Sequence, residues 1–270
     1  MSEEVFPFVS VCWNGRKIKQ EWESTVQRIS QANFIAEYEM IKRGHRRANT
    51  YHIAAWKFDD DINWATENGL VVLGIHRTQA HEGYDHRFYM HDTIKQDTLV
   101  YGVAALTYED AKAFKDAHTT NGTDHKLVGQ MLGYPQCCID WFLSVWPHKT
   151  SEPMFLLAQN TEGAVQVDNN TVEVTGNPLL NILPRAFGLR TCSFYPHSML
   201  CDDAAKFCGH WVDIMMEYEP DATENLIEAL NMPMEWSMHH GIVEVRTPLF
   251  RGATNGVFTD SKQVIRWLGE

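Results

Sequence analysis

Two adjacent thiols, Cys137 and Cys138, stand in the run Gly133-Tyr134-Pro135-Gln136-Cys137-Cys138-Ile139-Asp140-Trp141-Phe142. Five of the six cysteines fall between Cys137 and Cys208. About 55 to 65 positions downstream, Arg190-Thr191-Cys192-Ser193-Phe194-Tyr195-Pro196-His197-Ser198-Met199-Leu200-Cys201 supplies two more thiols and an imidazole. Cys137, Cys138, Cys192, His197 and Cys201 form a soft donor set of the kind that binds zinc or an iron–sulfur cluster. The expected ligands are Cys137 or Cys138, Cys192 and Cys201, with His197 as an optional member; an iron–sulfur cluster is slightly favoured over zinc, and the expected function is an enzyme using that centre for redox or Lewis-acid chemistry. No C-x-x-C pair occurs in the set, and its spacing follows no standard zinc-finger pattern.

The same residues permit a metal-free reading. A thiol in the first turn of a helix faces unsatisfied backbone N–H groups and the positive end of the dipole, which favours the thiolate. Cys137 or Cys138 would then be a nucleophile, with His197 as its base. In a third reading the protein is a non-enzymatic binding module, with the thiols as small core residues or as holders of a structural metal. Neighbouring side chains on a helix diverge by about 100°, which disfavours a strain-free bond between Cys137 and Cys138. Cys208 falls on the apolar side of a predicted helix and Cys12 in an apolar strand, so both are assigned to packing.

The elements around these residues can be read from pattern and punctuation. Asn121-Gly122 breaks the chain, Thr123 or Asp124 caps a short helix to Leu132, and Gly133 ends it. Pro135 then opens a helix at its first position, with Ile139, Phe142, Leu143 and Trp146 as its apolar face and Pro147 as its stop. Ser198 is expected to cap a helix to about Glu217. Val165–Val174 reads as a hairpin, and Leu179–Phe187 as a helix interrupted at Pro184. Toward the N-terminus a strand is expected over Val5–Trp13, a helix over Glu21–Lys42, and strands over Leu70–Ile75 and Leu99–Leu106. Thr107 is the expected cap of a helix with Asp110 at its third position.

The expected class is therefore α+β (mixed α/β), with a strand/helix portion over 1–110 and a helix-rich, cysteine-containing portion over 111–270, or one continuous domain.

Gly-Tyr-Pro-x-Cys-Cys before an aromatic helix, with a later Cys-rich loop, resembles an uncharacterised prokaryotic family of unknown function. The likeness covers Leu132–Phe142 and Cys192–Cys201. In this chain His197 stands where the family pattern has a cysteine, so a cluster there would imply mixed Cys/His ligation or an altered site. The family supplies no reaction.

Other polar groups bear on substrate. His76 ends a strand and opens a series, His76, His81, His86 and His91, in a polar stretch with Asp85 and Asp92. Arg185 and Arg190 flank the cysteine loop. His76, Arg185 and Arg190 are the candidate contacts for a small anionic or nucleotide-like substrate. Lys42-Arg43-Gly44-His45-Arg46-Arg47 is a basic island, read first as a solvated helix end. His239-His240 precedes a strand and reads first as polar surface.

The 270 residues, 44% hydrophobic and 21% charged, are enough for a real core. The net charge of -12 argues against broad nucleic-acid binding. The sequence has no apolar run of membrane-spanning length and an acidic N-terminus, so a cytoplasmic protein with reduced thiols is expected.

Overall fold

The computed structural model describes residues 9–54, 58–79, 98–119, 122–146, 152–256 and 259–270. His81, His86, His91, Asp85 and Asp92 lie outside the described residues. The fold is mixed α+β.

The first strand, β1 (Val9–Trp13), leads into a long helix, α1 (Arg16–Lys42). Then come β2 (Ala48–Ala54), α2 (Phe58–Glu67), β3 (Val71–Gln79), β4 (Thr98–Ala105) and α3 (Tyr108–Asp116). Two short strands, β5 (His118–Thr119) and β6 (Gly122–Thr123), precede α4 (His125–Met131), α5 (Gln136–Val145) and α6 (Pro153–Gln159). The remainder is β7 (Val165–Asp168), β8 (Thr171–Val174), α7 (Asp202–Tyr218), α8 (Pro220–Asn231), β9 (Met234–His239), β10 (Ile242–Arg246), β11 (Phe250–Asn255) and β12 (Gln263–Trp267).

A seven-stranded sheet runs β1-β11-β10-β9-β12-β8-β7, and a smaller one runs β2-β4-β3. Only β12 and β8 pair in parallel in the large sheet. Its edge strand β1 comes from the start of the chain, with Val9 opposite Thr254. The helices α1, α7 and α8 pack on one another. Their buried faces meet the sheet's inner face, where Trp211, Trp236 and Trp267 are fully enclosed. Complete burial of residues this large makes this layer the main source of hydrophobic stabilisation.

Local chemistry explains the element boundaries. The Thr107 side chain accepts from Asp110 N–H at 3.1 Å, and Asp124 accepts from Leu127 N–H at 3.0 Å. Both satisfy donors that a helix start leaves unpaired. Gly133 sits at φ +73° after α4, and its N–H bonds Gln130 O at 3.1 Å, an ending of the glycine-capped type.

Two expectations change. The predicted helix over Leu179–Phe187 is two isolated 3-10 turns, Pro178–Leu180 and Arg185–Phe187. Cys12 is exposed, because β1 is an edge strand whose residues Val9–Cys12 are all exposed, those of both faces alike. His239-His240 is exposed, in keeping with polar surface, at a β9–β10 hairpin in which His240 (φ 51°) and Gly241 (φ 77°) form a two-residue turn with both φ positive.

Candidate metal centre

The centre is built where two helices begin. Pro135 is the cap residue of α5, one position earlier than the sequence suggests, and its carbonyl accepts from Cys138 and Ile139 N–H at 3.0 Å each. Cys137 and Cys138 are then the second and third residues of α5. Helix α7 begins one residue after Cys201, which is its cap: Cys201 Sγ accepts from Ala204 N–H at 3.4 Å. Ser198 does not cap α7, since its hydroxyl accepts from Leu200 N–H at 3.1 Å within the preceding turn.

Cys137, Cys138, His197 and Cys201 bring one ligand atom each to a common point, all within 4.8 Å of one another. This group can hold a metal ion. The sulfur separations are 3.9 Å for Cys137–Cys138, and 3.8 Å for both Cys137–Cys201 and Cys138–Cys201. His197 Nδ1 stands 3.5 Å from Cys138 Sγ. Cys138 and Cys201 are buried, whereas Cys137 and His197 are half-buried.

Cys192, expected as a ligand, is not in this group. It is fully buried, donates to Phe194 O at 3.3 Å, and is turned to the Cys208 thiol in the main core.

The loop bearing His197 has little regular structure and is tied down by side chains from elsewhere. Arg46 donates to Ser193 Oγ, and Tyr134 stacks on Phe194 with ring centroids 4.5 Å apart. Asn160 Nδ2 donates to His197 O at 2.7 Å, and Met199 N–H donates to Thr161 Oγ1 at 3.0 Å. His197 N–H itself donates to Cys138 Sγ at 3.4 Å. Contacts of this second layer fix ligand orientation in metal sites.

Arg46 is the residue the sequence least revealed as part of this scaffold. It belongs to the basic island yet is buried, with its guanidinium 4.8 Å from the Trp211 ring and 5.2 Å from the Phe207 ring, and it bonds Asn49 at 2.9 Å. Burial pushes its pKa down. The island's other long cations are in ion pairs, Lys42 with Glu39 at 3.3 Å, Arg43 with Glu217 at 2.7 Å, and Arg47 with Asp110, while His45 stacks on His210.

Helix starts alone do not ionise these thiols. Burial, followed by the contact with Cys201, pushes the Cys137 thiol up. Burial pushes Cys138 up further, against the opposing bond from His197 N–H. Three thiols in contact cannot share negative charge cheaply without a cation among them. The expectation of easy ionisation is thus reversed for the metal-free group, and the arrangement suits a cation that neutralises the sulfurs.

The candidate substrate contacts lie elsewhere or are engaged. Arg190 pairs with Glu37 at 2.6 Å. Arg185 donates to Tyr195 Oη at 2.7 Å and lies 4.2 Å above its ring. His76 is on β3, its ring 6.1 Å from Tyr101 and 6.3 Å from His118. Among the described residues no helix is long and apolar enough to cross a membrane.

Comparison with protein-family models, with curated proteins and with solved structures gives no match.

Proposed function

We infer that the chain is a zinc protein, with one ion held by Cys137 Sγ, Cys138 Sγ, Cys201 Sγ and His197 Nδ1. The separations between the sulfurs carry this reading. Zinc–sulfur bonds of about 2.3 Å in a tetrahedron imply S···S edges of about 3.8 Å, and a zinc–nitrogen bond of about 2.05 Å implies an S···N edge of about 3.6 Å. The sulfurs stand 3.8 to 3.9 Å apart and the nitrogen 3.5 Å from Cys138 Sγ.

This weighs against the iron–sulfur alternative. Thiolates on different irons are separated by two Fe–S bonds and an Fe–Fe distance, which four atoms within 4.8 Å of one another do not accommodate. A Cys3His set closes the tetrahedron, which favours a structural ion over Lewis-acid activation of a bound substrate. The ion would join the starts of α5 and α7 and fix the loop between Cys192 and Cys201. An anionic small-molecule substrate has less support, because Arg190 and Arg185 are engaged by Glu37 and Tyr195.

Metal analysis of protein purified without added metal tests the assignment. One zinc per chain is expected, and cobalt in its place should give the intense thiolate-to-metal absorption of a tetrahedral sulfur site. Iron with acid-labile sulfide, or no metal at all, overturns it. The ligand set has a separate check. Cys201→Ala should abolish stoichiometric zinc, whereas Cys192→Ala should retain it. Loss of zinc in both variants, with folding preserved, would place Cys192 in the set.

A further inference from the structure

The geometry points to the metal-bound thiolate of Cys137 as an acceptor for soft alkyl electrophiles that are neutral or positively charged. This inference rests on the zinc reading above and deepens it. The three sulfurs are inequivalent in ways that decide reactivity. Cys138 Sγ is buried and accepts a hydrogen bond from His197 N–H at 3.4 Å. Cys201 Sγ is buried and accepts from Ala204 N–H at 3.4 Å. Cys137 Sγ is half-buried, and among the described residues no backbone N–H reaches it.

An N–H donor withdraws electron density from a thiolate and must be partly given up as the sulfur attacks. The sulfur without one, on the open side of the centre, therefore has the lowest barrier. The carboxylate Asp203 Oδ2, 3.8 Å from Cys137 Sγ, sets the charge preference. Asp203 is exposed and the chain carries a net charge of -12, so an anionic reagent is repelled where a neutral or cationic one is not.

The step balances without a redox partner. A sulfur lone pair of zinc-bound Cys137 attacks the alkyl carbon and forms the S–C bond. The carbon–leaving-group bond breaks, and its electron pair departs with the leaving group. Cys137 becomes a thioether, and the centre loses one negative charge. No proton moves, because metal binding has already removed the thiol proton.

Zinc-loaded full-length protein, its stoichiometry measured beforehand, is treated with limiting iodoacetamide or iodoacetate and mapped by peptide mass spectrometry. Cys137 should be modified about tenfold or more faster than Cys138 and Cys201, the difference one withheld charge-assisted hydrogen bond gives. Cys12, an exposed free thiol, serves as internal reference. The preference for iodoacetamide over iodoacetate should be larger at Cys137 than at Cys12, and Asp203→Asn should shrink that excess. A chain that holds no zinc overturns both the zinc reading and this one. A chain that holds zinc but modifies Cys137 no faster than its partners overturns the acceptor alone. Discrimination unchanged in Asp203→Asn overturns the charge selection.

Discussion

Removing the metal with a strong chelator lowers the melting temperature by roughly 10 °C, and Cys138→Ser or Cys201→Ser reproduces the loss without chelator. At free zinc a thousandfold above its dissociation constant, linkage alone supplies about 4 kcal/mol. For a chain somewhat above 250 residues, each kcal/mol corresponds to roughly 2–4 °C or a little less. The loss should be local before it is global. Hydrogen exchange should accelerate at 133–142 and 192–204, while strands around Trp236 and Trp267, both enclosed in the core, keep their protection. Each serine variant should lower zinc affinity by more than the about 10–100-fold that loss of a supporting second-layer contact produces. Binding should also release protons. Cys137 and Cys138 are both pushed above the ordinary thiol range when metal-free, so each is protonated at neutral pH and must lose its proton to bind. Zinc affinity therefore falls as pH falls. Titration in weak buffer, by pH electrode and calorimetry, reads this directly. A chelated protein that melts with the holoprotein would remove the structural role.

The two halves of the centre were legible to different degrees. Helix starts are local, so their signals survive in one dimension: Thr107, Asp124, Gly133 and Pro135 each mark a boundary within a residue of where it lies. That put Cys137 and Cys138 in a first turn and made His197 and Cys201 plausible partners. What failed depends on orientation. A loop has no period, so nothing in the order of residues told that Cys201 faces the centre and Cys192 faces Cys208. Cys201 as the cap of α7 was hidden for a related reason, since a hydroxyl at Ser198 looks the better cap until its bond to Leu200 is seen. Long-range pairing was equally silent. The exposure of Cys12 follows from β1 lying at the sheet edge beside β11, about 240 residues away in the chain. Arg46 read as surface because its enclosure by Phe207 and Trp211 exists only after α7 docks.

Gly133→Ala is the substitution outside the ligands with the largest expected effect, and Gly188→Ala is its internal control. Both glycines follow a helical turn with positive φ, +73° and +82°. Alanine in that region costs about 1–2 kcal/mol from backbone sterics alone. Beyond that the positions differ. A Cβ at residue 188 meets nothing within 4 Å, whereas at residue 133 it would stand 2.3 Å from the backbone carbonyl of His45. It would also be 3.2 Å from the Phe207 ring and 3.3 Å from Arg46 Cγ. A backbone oxygen cannot step aside as a side-chain tip can, so the α4–α5 corner must move. Those neighbours are the ones that hold the second layer: His45 adjoins Arg46, and Arg46 anchors Ser193 in the loop of His197. Movement of the corner also carries Cys137 and Cys138, only four and five residues on. Gly133→Ala should therefore cost more than about 3 kcal/mol in urea unfolding and weaken zinc binding as well. Gly188→Ala should stay near the strain term and leave zinc affinity unchanged. Equal costs for the two variants would mean that the His45 contact is not what requires glycine there. A Gly133→Ala protein that is destabilised yet binds zinc at full affinity would uncouple the corner from the centre.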